Sequence, residues 1–339
     1  RFQKLPDVLC NVFRRSRLAS AHFIGQFLVF TNRKPALSRI AGAALERAMQ
    51  QLDDSGVSPY RTFDSISRFC ELLSKARGAD FAPRISKHKI TDKTDIILIE
   101  PPCGSNTAII KSGDEYLFAD SGYAYCADEM RALFRELIPG FDGMKKRIFV
   151  THADVDHCGL LPMFDEVLAS CGTAECLKLE YENGNGYREQ NTLHKPYIRM
   201  CKILTSYEPV NPEKIKIADS EKTGDGVLER TGFLNFGDLN FEIYCGGGGH
   251  LPGESVLIDY ANRVVFSGDI FVNLKDMTEQ QAQYNRYAPI LMTSVDTDPV
   301  LCARERQALF ARLGVGTWQI FGGHGGKKTY TVKTISEQS

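Results

Sequence analysis

Thr151-His152-Ala153-Asp154-Val155-Asp156-His157-Cys158-Gly159 places two imidazoles and two carboxylates within six residues. It follows Arg147-Ile148-Phe149-Val150, an apolar run that reads as a buried strand, and precedes Leu160 to Leu168, which reads as a helix. Four side chains able to bind metal at a strand-to-helix junction point to a cation site. Further along, His250, Asp269 and His324 each sit a few residues beyond another apolar run. Together with His152, Asp154, Asp156 and His157 they form a set of seven that one edge of a sheet sandwich could present. Four of the seven histidines fall at such ends, whereas His22, His88 and His194 do not.

Two divalent cations roughly 3.5 to 4 Å apart need about three or four protein ligands each, with one group shared between them. Seven side chains meet that demand. Neutral imidazole and carboxylate suit zinc, iron or manganese, and no cysteine is placed for a soft thiolate site. Cys158, between His157 and Gly159, reads as a packing residue.

The elements that must carry these residues change character along the chain. Residues 1–90 are poor in glycine and read as a small, mainly helical module. It has a short strand at Phe27 to Phe30, a helix opened by Pro35 and running to Met49, and an amphipathic helix from Phe63 to Ala76. From 91 to 339 short strands alternate with helices, which is a layered α/β pattern. Strands are expected at Ile96 to Ile99, Thr107 to Ile110, Glu115 to Phe118, Leu239 to Tyr244 and Trp318 to Phe321, with a hairpin from Ser255 to Phe266. Helices are expected at Ala127 to Ile138 and Pro299 to Leu313. Residues 170–234 read as an insertion near the site, a long and weakly patterned stretch with a helix from Tyr197 to Tyr207.

Here the sequence resembles the metallo-β-lactamase superfamily, whose signature HxHxDH follows a strand and is completed by separate His, Asp and His positions. The match is His152, Asp156 and His157 in the signature, His250 before Leu251-Pro252-Gly253, Asp269 after Ser267-Gly268, and His324 after Gly322-Gly323. It covers about residues 95–330, and its motifs occur in the family's order. The resemblance implies an αββα sandwich. It also implies that Asp120 supports the metal loop from behind.

One position departs from the pattern: Asp154 stands where most hydrolases of the family carry the second histidine. The resemblance implies that His152, Asp154 and His250 hold the first cation and Asp156, His157 and His324 the second, with Asp269 bridging. Anionic oxygen donors favour harder metals, so Asp154 moves the expectation from zinc toward iron or manganese. It also resembles flavodiiron proteins, which carry glutamate there and bind two irons.

The implied activity is hydrolysis of an ester, thioester, lactone, amide or phosphoester bond, with Asp156 orienting the attacking water or accepting its proton. Lys327, Lys328, Tyr287 and Arg286 are candidates for holding an anionic substrate group. The alternative is a di-iron protein that binds or reduces oxygen or nitric oxide. Flavodiiron proteins carry a flavodoxin-like domain after the metal domain, and no such segment follows His324, which disfavours an autonomous reductase. Gly246 to Gly249 abuts His250 and reads as a close approach to the metal rather than a nucleotide cradle.

A formal charge of −1 and a pI near 6.7 give no bulk attraction for a polyanion, so nucleic acid is not the expected partner. A small molecule or a peptide is the expected substrate. The peptide reading rests on the layout of residues 1–90, which resembles that of winged-helix peptide-carrying chaperones of cofactor biosynthesis. The same region could otherwise pack on the main domain or form a homodimer contact. Ten scattered cysteines with no CxxC pair read as reduced thiols of a cytoplasmic protein. No apolar run approaches the roughly 18 residues of a membrane span.

Overall fold

Strand β2 (Thr94–Glu100) is buried at nearly every position and apolar from Ile96 to Ile99, and the alternation of its side chains explains why. Ile96 and Leu98 point one way into a core shared with a second sheet, while Ile97 and Ile99 point the other way into a core shared with helices. Strands β3 (Thr107–Ser112) and β4 (Glu115–Ala119) repeat the division: Ala108, Ile110 and Leu117 go inward, Ile109 and Phe118 outward. A sheet covered on both faces needs runs of this kind. In this computed structural model residues 49–334 are described, apart from 51, 55, 57, 192–193, 221–223 and 288–294. The expected strand at Phe27 to Phe30 and nearly all of the expected helix from Pro35 lie outside the described residues.

The first sheet has seven strands in the order β1 to β7, adding β1 (Arg84–Lys89), β5 (Arg147–Phe149), β6 (Glu166–Ala169) and β7 (Ile215–Ile217). The second runs β13-β12-β11-β10-β9-β8. Its strands are β8 (Leu228–Phe236), β9 (Leu239–Gly246), β10 (Ser255–Asp259), β11 (Val264–Phe266), β12 (Gly316–Phe321) and β13 (Lys328–Val332). Between the sheets Phe149, Phe241, Phe266 and Phe321 join the inward aliphatic residues. Truncating the fully buried Phe149 to alanine would cost about 3–5 kcal/mol.

Helices α1 (Pro59–Ser74), α2 (Ala127–Leu137), α3 (Cys171–Asn183) and α4 (Lys195–Thr205) bring Phe69, Leu73, Met130, Phe134, Leu177 and Leu204 to the core on the outer face of the first sheet. After α5 (Glu279–Asn285), helix α6 (Pro299–Arg312) lays Leu309 on the outer face of the second, against Val265 and Ile320. The result is an αββα sandwich, the fold class expected from the sequence. Among the described residues no helix is long and apolar enough to cross a membrane, and no disulfide joins the described cysteines.

A register shift between Arg230 and Gly232 divides β8. One extra residue reverses the side-chain alternation. Leu228 therefore reaches the outer core while Leu234 and Phe236 reach the core between the sheets.

One expectation is overturned. Leu160 to Leu168 is not a helix: a single 3-10 turn at Leu161–Met163 gives way to β6, parallel to β5 on one side and β7 on the other. Pro162 is at home in a first turn. Beyond it Val167, Leu168 and Ala169 are buried on both faces of the sheet, so their unbroken apolar character marks a central strand. The stretch 170–234 is also more regular than its composition conveys. Ser170 caps α3 through a hydrogen bond from Thr173 N, and Gly184 ends it in the left-handed region. The expected helix from Tyr197 is α4.

Strand direction gathers the candidate residues. β9 and β11 are both antiparallel to β10, and β12 is parallel to β11, so β9, β11 and β12 end at the same edge. β4 and β5 are parallel and end together in the first sheet. The residues beyond these ends are Asp120, His152, His250, Asp269 and His324.

Candidate functional site

The chain leaves β4 through Asp120, whose φ of 53° lies in the left-handed region that few residues other than glycine adopt. That turn aims the carboxylate back at the end of β5. Asp120 Oδ1 accepts from Thr151 N at 2.8 Å, and Oδ2 accepts from Thr151 Oγ1 at 2.8 Å. Oδ2 also lies 3.0 Å from His157 Nδ1. A proton on that Nδ1 leaves Nε2 with a free lone pair on the opposite side of the ring. The supporting role expected of Asp120 is the geometry found.

After Thr151 the chain makes a tight loop closed by His157 N and Cys158 N, which both donate to Asp154 O. Gly159 is required here, because a Cβ at that position would fall 2.1 Å from Ala124 N and 2.4 Å from Gly122 O. Cys158 is buried and its thiol donates to His152 O, while burial pushes its pKa well up. It is held as a packing thiol.

Two groups of side chains converge. In the first, His152, His250 and Asp269 bring ligand atoms within 4.8 Å of one another, and in the second Asp156, His157 and His324 do the same. His324 Nε2 is 3.4 Å from Asp156 Oδ2. Asp269 spans the two groups: its Oδ1 is 3.4 Å from His157 Nε2, and its Oδ2 is 3.4 Å from His324 Nε2 and 3.8 Å from His250 Nε2. Gly323 permits this closeness, since a Cβ there would lie 2.0 Å from Asp269 Oδ1 and 2.7 Å from His157 Cε1. Asp154 stands at the rim of the first group, with Oδ2 3.5 Å from His250 Nε2 and 3.8 Å from His152 Nε2. All seven residues singled out in the sequence are therefore neighbours.

Donor spacings of about 3.4 to 3.8 Å are those of atoms sharing one cation at roughly 2.0–2.2 Å. The buried atoms His152 Nε2, His157 Nε2 and Asp269 Oδ1 have no hydrogen-bond partner among the described residues. Buried polar atoms are ordinarily satisfied, so three orphans aimed at one small volume fit a cation. The charges agree. Burial pushes the Asp269 carboxyl up, but His324 and His157 outweigh it and hold it well below the usual range. Burial lowers the His157 imidazole, yet Asp269, Asp120 and Asp156 raise it well above its ordinary value. Burial followed by His157 and His250 keeps His152 neutral, with its pKa well below the ordinary one.

Three residues that the sequence did not single out complete the surroundings. Glu254 is buried, and its Oε1 accepts from Asp269 N at 2.7 Å and Ile270 N at 3.0 Å, fixing the turn that presents Asp269. Burial is the main cause that pushes its carboxyl up to about 8. Asp296 Oδ1 lies 2.8 Å from His250 Nδ1 and orients that ring as Asp120 orients His157. Arg188, 7% exposed, donates from Nε to Asp154 Oδ1 at 2.5 Å and from Nη2 to Asp154 Oδ2 at 2.6 Å. Burial pushes the Asp154 carboxyl up, but Arg188 and His250 hold it well below the usual range. Only Glu254, one residue after the His250 to Gly253 run, carried a sequence signal.

The glycine run before His250 is clamped by α6, because Gly247 N and Gly249 N both donate to Glu305 Oε1. Those two amides are taken up by a carboxylate. Of the four candidates for an anionic substrate group, Lys328 opens β13 opposite Ile320 and Arg286 is exposed just beyond α5.

No curated protein matches the chain. Among solved structures it is similar to AidC, described as a dizinc quorum-quenching lactonase, with 15% identity and a TM-score of 0.45 over 75% of this chain and 95% of that one. A beta-lactamase domain protein from Burkholderia ambifaria has 17% identity and a TM-score of 0.48 over 77% of each chain. A point mutant of a flavo di-iron protein from Thermotoga maritima has 15% identity and a TM-score of 0.44 over 73% of this chain and 58% of that one. The model of the metallo-beta-lactamase superfamily matches residues 101–288, which is more than half of the sequence and includes every strand from β3 to β11. On that match, the chain belongs to the metallo-beta-lactamase superfamily.

Proposed function

We propose that the protein is a metal-dependent hydrolase using two divalent cations, zinc or, given Asp154, iron or manganese. His152, Asp154 and His250 would hold the first cation and Asp156, His157 and His324 the second, with Asp269 between them. The observation that carries this reading is the Asp269 carboxylate, whose two oxygens reach imidazoles of both groups at 3.4 to 3.8 Å. When bound, a pair of divalent cations lowers the pKa of water and polarises a carbonyl or phosphoryl oxygen. The chain's own residues supply position. Asp120 and Asp296 fix the ring orientations of His157 and His250, and Glu254 fixes Asp269. Asp156, partly exposed beside His324, orients the attacking water or takes its proton. The bond attacked would be an ester, thioester, lactone, amide or phosphoester of a small molecule or peptide.

A second reading, a di-iron protein that handles oxygen or nitric oxide, is favoured by the Asp154 oxygen in the first group, because a third carboxylate makes the donor set harder. Protein purified without added metal, analysed for its elements and then assayed with each metal against a panel of those bonds, tests both. Cleavage of at least one bond class, lost in Asp269→Ala together with metal content, is expected. A metal-loaded protein that cleaves none of them refutes the hydrolase reading, and an iron content with an oxygen-dependent absorption band would favour the second.

A further inference from the structure

The two groups of ligand atoms differ in one respect: a buried cation of the protein itself sits against the first. Arg188 lies in the short turn Tyr187–Gln190 between α3 and α4, and its guanidinium forms a fork on both oxygens of Asp154. The same Nη2 stands 3.3 Å from His250 Nε2, the atom offered to the first cation. A planar fork of this kind is always charged and holds its direction well. Its turn is anchored as well. Glu189, buried beside it, accepts from Gly186 N at 2.6 Å and is paired with Lys202 of α4, which also pairs with Glu180 of α3. In the second group, among the described residues, no lysine or arginine pairs with Asp156 or with Asp269.

The electrostatic consequence is direct. Asp154 brings one negative charge to the first group and Arg188 cancels it, while Nη2 places positive charge beside a ligand nitrogen. A second cation arriving there meets repulsion in a site that excludes most water, where charges act strongly. We propose, building on the two-cation reading above, that Arg188 makes the two positions unequal. Asp156, His157, His324 and Asp269 bind one cation tightly, and the position at His152, Asp154 and His250 fills only at much higher concentration. Arg188 thus sets whether the site works with one cation or two, and cation supply would govern the dinuclear state.

Calorimetric titration of metal-stripped full-length protein with zinc alone tests this. The expected result is one tight equivalent followed by a second at least about 100-fold weaker. Arg188→Gln should tighten the second equivalent by about tenfold or more, and Arg188→Lys, which keeps the charge, should leave the inequality in place. His250→Ala should abolish the weak equivalent and spare the tight one. That variant keeps the proposal open to refutation should Arg188→Gln fail to fold. Two equivalents of equal affinity in the unaltered protein would overturn the inequality while leaving the two-cation reading intact. An Arg188→Gln second equivalent that is unchanged or weaker would overturn Arg188 as its cause. Failure of the unaltered protein to bind any zinc, iron or manganese would remove the two-cation reading and this proposal with it.

Discussion

Asp120→Asn is the most informative single substitution, because the structure separates its effect on backbone shape from its effect on the site. Asparagine tolerates the left-handed region at least as well as aspartate, so the φ of 53° survives. The hydrogen bonds do not. Asp120 accepts from Thr151 N, from Thr151 Oγ1 and faces His157 Nδ1, three contacts of 2.8 to 3.0 Å that only a carboxylate with two acceptor oxygens can satisfy. In asparagine one oxygen becomes a donor. If the amide faces Thr151 N, a buried N–H loses its acceptor; if it faces His157, the proton on Nδ1 must move to Nε2. The first outcome costs about 1–3 kcal/mol of stability. The second puts a proton on the ligand atom, and loss of such a support costs roughly 10- to 100-fold in metal affinity, or about 1.4–2.8 kcal/mol. Zinc affinity measured by competition with a chromophoric chelator, beside thermal unfolding of the stripped protein, reads both. A stripped Asp120→Asn that unfolds as the unaltered protein does, with undiminished zinc affinity, would refute the argument.

Gly323→Ala should reduce metal content by tenfold or more, since its Cβ would fall 2.0 Å from Asp269 Oδ1. Elemental analysis showing full occupancy would contradict the close-approach argument. Glu254 gives a pH-dependent expectation: its folded pKa, pushed up to about 8, lies above the unfolded value. Its contribution to stability is therefore complete below about pH 4.3 and is lost as pH rises through about 8, a difference of up to a few kcal/mol. Glu254→Gln should gain on the unaltered protein between pH 5 and pH 9 in thermal melts of stripped samples, and parallel pH slopes would exclude it.

The seven candidate residues were legible because each lies just past an apolar run, and sheet geometry carries such ends to one edge. What could not be read was support that arrives from far along the chain. Arg188 reaches Asp154 across 34 residues and Asp296 reaches His250 across 46, with no spacing to mark either. β6 was misread as a helix for a different reason. Full burial on two faces removes the polar positions that distinguish a period of two from one of 3.6. β1 was missed for the converse reason, because the edge strand from Arg84 to Lys89 carries alternating charged and polar residues and only one large aliphatic, Ile85. Residues 170–234 concealed α3, whose buried face mixes Ala174 and Leu177 with the polar Thr173 and Glu180 and so shows no apolar stripe.

The central claim is that Asp269 joins two cation positions, and a crystal structure of the metal-loaded protein with anomalous scattering recorded at the metal's absorption edge tests it most directly. Two peaks, one among His152, His250 and Asp269 and one among Asp156, His157 and His324, with the Asp269 carboxylate contacting both, are expected at saturating metal. A protein loaded at the same concentration that shows a single peak, or none beside Asp269, would contradict the account.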